Sequence, residues 1–217
     1  MRKECILHLI SKMIKMNTAP VTSTTYLIAG LGNPGREYRD SRHNIGFMLV
    51  NRLAERLDVT FSRMESKALV TKAKYQGRSI ILAKPQTYMN LSGQAVGSLV
   101  KFYKIPFENL MVIYDDVDLA FGRIRIRPTG GSAGQKGLLS IIGQLGTQDF
   151  PRLRFGIGRP PGSQGAASYV LRDFSRDDAD FLPHLIDRGA DAVITYITED
   201  LATAMNRFNS KINGEVE

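Results

Sequence analysis

Apolar residues in this chain fall into short unbroken runs and longer stripes at helical spacing, and the two alternate. Tyr26-Leu27-Ile28-Ala29 is an unbroken run that reads as a strand buried on both faces. It breaks into Gly30-Leu31-Gly32-Asn33-Pro34-Gly35, a polar segment follows, and His43-Asn44 stand where the next pattern starts. From Asn44 to Leu57, the residues Ile45, Phe47, Met48, Leu49, Leu53 and Leu57 mark one broad face of a helix. Ala68–Tyr75 and Arg78–Ala83 read as two strands joined at Gln76-Gly77. Ser92 is the expected cap of a helix carrying Ala95, Val96, Leu99, Val100 and Tyr103. Leu110–Tyr114 reads as a buried strand that ends in Asp115-Asp116-Val117-Asp118.

The second half continues the alternation. Arg123-Ile124-Arg125-Ile126-Arg127 has a strict period of two, so its isoleucines should face the core and its arginines outward. A glycine loop over 130–137 precedes a helix over Leu138–Leu145, and Leu153–Gly158 is a further strand. Ser175 with Asp178 has the form of a capping box for a helix to about Ile197, and a shorter helix follows over Asp200–Asn209. No internal repeat or interior linker interrupts the series. The pattern predicts one α/β domain: a mixed, largely parallel central sheet flanked by helices.

Length agrees, since 217 residues suffice for a single full core. An apolar content of 43% with 23% charged residues describes a soluble globular chain, and no apolar run approaches the ~20 residues that span a bilayer. Cys5 is the only cysteine, which excludes an intrachain disulfide and suits a reducing compartment, so a cytoplasmic protein without membrane attachment is expected. Residues 1–24 carry Arg2, Lys3, Lys12 and Lys15 against Glu4. They are expected to be a flexible extension outside a domain of residues 25–217. The alternatives are an organellar targeting peptide or an over-long start, with Met13 or Met16 as the initiator.

Net charge is +8, and it is uneven. Residues 123–159 hold Arg123, Arg125, Arg127, Lys136, Arg152, Arg154 and Arg159 against Asp149 alone. Such clustering favours a phosphate-bearing partner, nucleic acid before others, over an ordinary solvated face.

Gly30, Gly32 and Gly35 match the dinucleotide fingerprint G-x-G-x-x-G, but the match stops there. That fingerprint needs a helix opening inside the glycine turn to meet a pyrophosphate, and here Pro34, Glu37, Tyr38, Arg39 and Asp40 intervene. Nucleotide binding is therefore not expected. The plain alternative is that these glycines let the chain turn with positive φ.

The chemistry-bearing candidates are Asn33, His43, Asn90, Asp115 and Lys136, all in loops or at strand ends. Strand C-termini share one edge of an α/β sheet, so these residues can line one cleft. There is no G-x-S-x-G elbow, and Cys5 lies in the extension, which argues against a nucleophilic serine or cysteine. His43 has no second histidine or cysteine at ligand spacing, which argues against zinc. What remains is water activation by a neutral imidazole with a carboxylate such as Asp115 to orient it, and Asn33 and Asn90 to bind a carbonyl. The same residues also fit ordinary roles, as a helix lead-in, a cap and loop asparagines. The residues alone leave both readings open.

Four segments in order carry a family resemblance: GLGNPGREYRDSRHNIGF (30–47), KPQTYMNLSG (84–93), YDDVDLAFGRIRIR (114–127) and LRFGIGRP (153–160). Together they resemble the bacterial-type peptidyl-tRNA hydrolases, over roughly Thr25 to Asn209. The resemblance implies a single-domain α/β monomer without metal or cofactor. It would cleave the ester between a peptide and the 3′ end of tRNA and so recycle tRNA from peptides dropped by ribosomes. It implies that His43 is the catalytic base and Asp115 its partner. Asn33 and Asn90 would bind substrate, with Tyr38 and Met89 lining the same cleft. Arg127 and Arg154 fall where the family meets the tRNA 5′ phosphate and backbone. One departure stands out. The family's glycine loop usually ends Gly-His-Asn-Gly, whereas this chain has Gly134-Gln135-Lys136-Gly137. Lys136 then stands in the substrate-binding place of an asparagine, with a charge and no acceptor. The competing expectation is a non-catalytic RNA-binding relative, similar to the plant organellar intron-splicing factors.

Overall fold

A computed structural model describes residues 24–160, 162 and 165–210. The expected extension, residues 1–24, lies outside the described residues except for Thr24. The apolar run at Tyr26 forms the central strand β1 (Thr25–Gly30), and both its faces are covered. Tyr26 and Ile28 enter one apolar cluster, Leu27 and Ala29 the other. That is the period of two with both sides buried.

Seven strands make one sheet in the order β2-β3-β4-β1-β5-β7-β6. They are β2 (Arg63–Glu65), β3 (Ala68–Tyr75), β4 (Arg78–Pro85), β5 (Leu110–Asp116), β6 (Ile124–Arg127) and β7 (Arg152–Gly156), besides β1. The middle four, β4, β1, β5 and β7, run parallel, while β3 pairs antiparallel with β4 and β6 with β7. The hairpin falls where Gln76-Gly77 predicts it, with positive φ at both residues. The three-residue edge strand β2 has no period of its own and was not anticipated.

Helices cover both faces. On one side lie α1 (Ile45–Arg56), α5 (Arg176–Thr198) and α6 (Leu201–Phe208); on the other lie α2 (Ser92–Tyr103) and α3 (Lys136–Leu145). A short helix, α4 (Ala166–Val170), was not expected either. Ser175 Oγ accepts from Asp178 N at 3.1 Å, so α5 starts at its expected cap. Ser92 does not cap: it is the first residue of α2, and its Oγ donates to the Met89 carbonyl at 2.8 Å. Among the described residues no helix is long and apolar enough to cross a membrane.

From β1 the chain moves to one side of the sheet for β2–β4, then crosses to the other side for β5. The loops after β1, β4 and β5 therefore diverge from neighbouring strand ends and leave a crevice between them.

Candidate active site

The loop after β1 is held by close backbone contact. A Cβ added at Gly30 would lie 2.1 Å from the Gly46 carbonyl oxygen, and one at Gly46 would lie 2.4 Å from Leu31 N. Neither position tolerates a side chain, so α1 seats its first turn directly on the ends of β1 and β5. Only Gly35 of the three fingerprint glycines has positive φ. Space, rather than a left-handed turn, explains Gly30. The result places the 3₁₀ turn Arg42–Asn44 beside the last residues of β5.

There His43 Nδ1 lies 2.8 Å from Asp115 Oδ2. A carboxylate only accepts, so Nδ1 carries the proton and donates; Nε2 is left with no partner among the described residues. The Asp115 side chain is 3% exposed and that of His43 is 13% exposed. Tyr114, just before Asp115, has its phenol pushed up to about 12 by burial, against the pull of Arg152 and Arg154. It stays protonated at neutral pH and does not compete for the proton.

Asn33 and Asn44 lock the loop to the turn. Asn33 N donates to Asn44 Oδ1 at 2.7 Å, and Asn44 Nδ2 donates to the Asn33 carbonyl at 3.0 Å. The Asn33 side chain in turn accepts from Met89 N at 2.9 Å. Its Oδ1 is thereby used, and Nδ2 remains as the free donor among the described contacts. Met89 is buried, whereas Asn90 is exposed and makes no side-chain hydrogen bond among the described residues.

The glycine loop behaves differently from expectation. Gln135 caps α3 with its side chain, whose Oε1 accepts from Leu138 N at 2.7 Å, so the helix begins at Lys136 rather than Leu138. The same side chain donates from Nε2 to Asp115 Oδ1 at 3.2 Å. Gly137 admits Met89 here: a Cβ would lie 2.5 Å from its sulfur.

These residues surround one cavity of about 590 Å³. Asn33, His43, Met89, Asn90, Asp115 and Lys136 all line it, and α4 with Leu171 forms a further wall. Its volume lies within the usual range of small-molecule sites. Tyr38 sits half-buried in the turn Arg36–Tyr38 and is not among the lining residues. Among the described residues no three His, Cys, Asp or Glu side chains come together in a way that could hold a metal ion.

The family model for peptidyl-tRNA hydrolase matches residues 27–215. The chain belongs to the peptidyl-tRNA hydrolase family. It is 52% identical over 185 residues to the peptidyl-tRNA hydrolase of Chloroflexus aurantiacus, covering 85% of this chain and 98% of that one. A chloroplastic peptidyl-tRNA hydrolase of Arabidopsis thaliana is 44% identical, over 89% of this chain and 67% of the relative. The crystal structure of peptidyl-tRNA hydrolase from Acinetobacter baumannii superposes with a TM-score of 0.81 at 34% identity, over 87% of this chain and 96% of that one.

Within this peptidyl-tRNA hydrolase fold the basic cluster is less uniform than its sequence suggests. Arg152 is 1% exposed and donates to the carbonyls of Phe150, Gln148 and Gly130, so it is a structural brace for the loop before the cavity. Arg154 is tied to Asp116 at 2.5 Å on the neighbouring strand. Burial is the largest single influence and works against its charge, but the Asp116 bond together with the attraction of Asp116, Tyr114 and Asp118 outweighs it and raises its pKa above the ordinary arginine value. Arg159 pairs with Asp118 at 2.6 Å. Arg127, at the end of β6, is exposed, and its side chain makes no hydrogen bond or ion pair among the described residues.

Three contacts around the cavity carry no local signal in the sequence. Asn44 and Gln135 each act through a partner far along the chain, and nothing local signals it. Arg42 is the third: beside His43, it is buried and reaches Asp173 O at 2.5 Å and Asp178 at 3.6 Å. It lies over the Tyr169 ring and so ties the segment after α4 to the histidine's turn.

Proposed function

We propose that this protein hydrolyses the ester joining a peptide, or an N-blocked aminoacyl group, to the 3′ end of tRNA, with His43 as the base. The carrying observation is the 2.8 Å His43–Asp115 pair inside a cavity also lined by Asn33 and Asn90. His43 Nε2 takes a proton from water as the oxygen attacks the ester carbonyl carbon. Asp115 accepts from Nδ1 and stabilises the imidazolium. Asn33 Nδ2 and the Asn90 amide supply donors for the oxygen that gains charge in the tetrahedral intermediate. The intermediate then collapses, the ribose oxygen leaves, and the imidazolium returns the proton to it.

Arg127 is proposed to meet a tRNA phosphate directly, as a backbone contact that reads no sequence. Arg154 contributes its field from the Asp116 pair, and Lys136, exposed at the cavity rim, meets the acceptor end. Tyr38 is assigned to the approach to the cavity. Action as a monomer is part of the proposal. Recycling of tRNA in the compartment where translation runs follows from this reaction, whether cytoplasmic or organellar.

Relatives named as hydrolases favour this reading over a non-catalytic RNA-binding role. The test is release of diacetyl-lysine from diacetyl-lysyl-tRNA by the purified protein. Turnover that His43→Ala lowers at least ~100-fold is expected; no release above buffer sinks the reading and leaves RNA binding alone.

A further inference from the structure

Asp115 has two carboxylate oxygens, and each has its own donor. Oδ2 accepts from His43 and Oδ1 accepts from Gln135 Nε2 at 3.2 Å. The Gln135 amide cannot flip away, because its Oε1 already takes Leu138 N at 2.7 Å at the start of α3. Its nitrogen also lies 3.3 Å from Met89 Sδ, so every polar atom of the amide is engaged. The other charged groups near the pair are turned elsewhere. Asp116 is held by Arg154, and Arg42 points to Asp178 and the carbonyls of Arg172 and Asp173. Lys136 lines the cavity but makes no bond to Asp115 among the described contacts.

We propose that Gln135 is the positioning residue of the Asp115–His43 pair: its amide, clamped by the helix cap, holds the carboxylate in the plane that the imidazole needs. The helix start and the catalytic carboxylate thus share one side chain. A carboxylate fixed at one oxygen alone can rotate about its Cβ–Cγ bond and lose the histidine; the second anchor stops that rotation. The donor is neutral and does not titrate, so it supports the carboxylate without adding charge or a second ionisation. This inference rests on the hydrolase reading for its kinetic consequence but not for its geometry.

Gln135→Glu separates the two roles of the side chain. A glutamate keeps the acceptor that caps Leu138 N, so the fold keeps its cap. It replaces the donor to Asp115 by a second negative oxygen. A like charge at this range moves the titration of neighbouring groups by about one unit or more, toward keeping His43 protonated. At neutral pH kcat on diacetyl-lysyl-tRNA is expected to fall about tenfold, with KM within about twofold, as expected when uniform substrate binding is untouched. The acid limb of the kcat–pH profile should move to higher pH. Unchanged kcat and acid limb overturn the proposal, as does a loss confined to KM. A second readout needs no substrate. In protein labelled with ¹⁵N-histidine, the His43 ring should titrate at higher pH in Gln135→Glu than in the wild type, and coincident titrations overturn the proposal. A wild type inactive on the tRNA ester sinks the hydrolase reading, while the ring titration still decides the role of Gln135.

Discussion

The two walls of the cavity are built on opposite plans. The wall from β1 and β4 presents Asn33, His43, Met89 and Asn90, and spends amide groups on holding backbone. The wall from β5, β6 and β7 carries the fixed charges: Asp115, Asp116 and Lys136 line it, with Arg154 behind Asp116. In the proposed reaction the first wall supplies a base and neutral donors at set positions, and the second supplies the field that orients the base and meets a polyanion. At the cavity the His43–Asp115 pair and Gln135, which reaches both Asp115 and Met89, join them, and damage to one wall should read out differently from damage to the other.

The largest effect should come from the junction. His43→Ala is expected to lower kcat at least ~100-fold, as for loss of a general base, with tRNA affinity nearly unchanged. Near-normal turnover in that variant would remove the first wall from the chemistry. Next comes Asn44→Ala, which leaves Asn33 N and O buried without partners. It should cost about 2–4 kcal/mol, seen as a thermal midpoint lower by roughly 5–15 °C in a chain of this size. A midpoint within a few degrees of wild type would show that the wall holds itself another way.

On the second wall the arginines should split. Arg154→Ala strands Asp116, whose side chain is 7% exposed. It should destabilise by about 1–3 kcal/mol, less than for a fully buried pair because Arg154 is partly solvated. Arg127→Ala should leave the midpoint alone and reduce the salt slope of tRNA binding by about one. If both variants change only the salt slope, Arg154 is as free as Arg127 and the contrast between them fails. The smallest effect belongs to Lys136→Asn. An exposed rim residue should alter stability by less than about 0.5 kcal/mol, with any change confined to KM and its salt dependence.

Legibility followed the range of the interactions. Strands and helices were visible because burial of two faces or of one stripe imposes its period on neighbouring residues, as in Tyr26–Ala29 and Ile45–Leu57. The Ser175 cap was visible because its partner, Asp178, is three residues away. Ser92 departs from its expected role because a serine before an apolar stripe looks the same whether its hydroxyl accepts from the helix or donates to Met89 O. Gly30 resembles a turn former in sequence, but its reason is Gly46, sixteen residues on. Arg152 and Arg154 were counted with a charged surface because the period of two cannot say which carbonyls or carboxylates lie beside a strand.

The sequence by itself determined the α/β class, the order of most elements, the family and the candidate histidine, because each rests on local periodicity or on linked motifs. Tertiary structure alone decided what those candidates do to one another. His43 and Asp115 meet across 72 positions, and Gln135 closes on Asp115 across 20. Such contacts depend on where the sheet reverses its strand order and on how closely two glycines let a helix approach it. No local pattern encodes either, since both are fixed by backbones distant in the chain and adjacent in space.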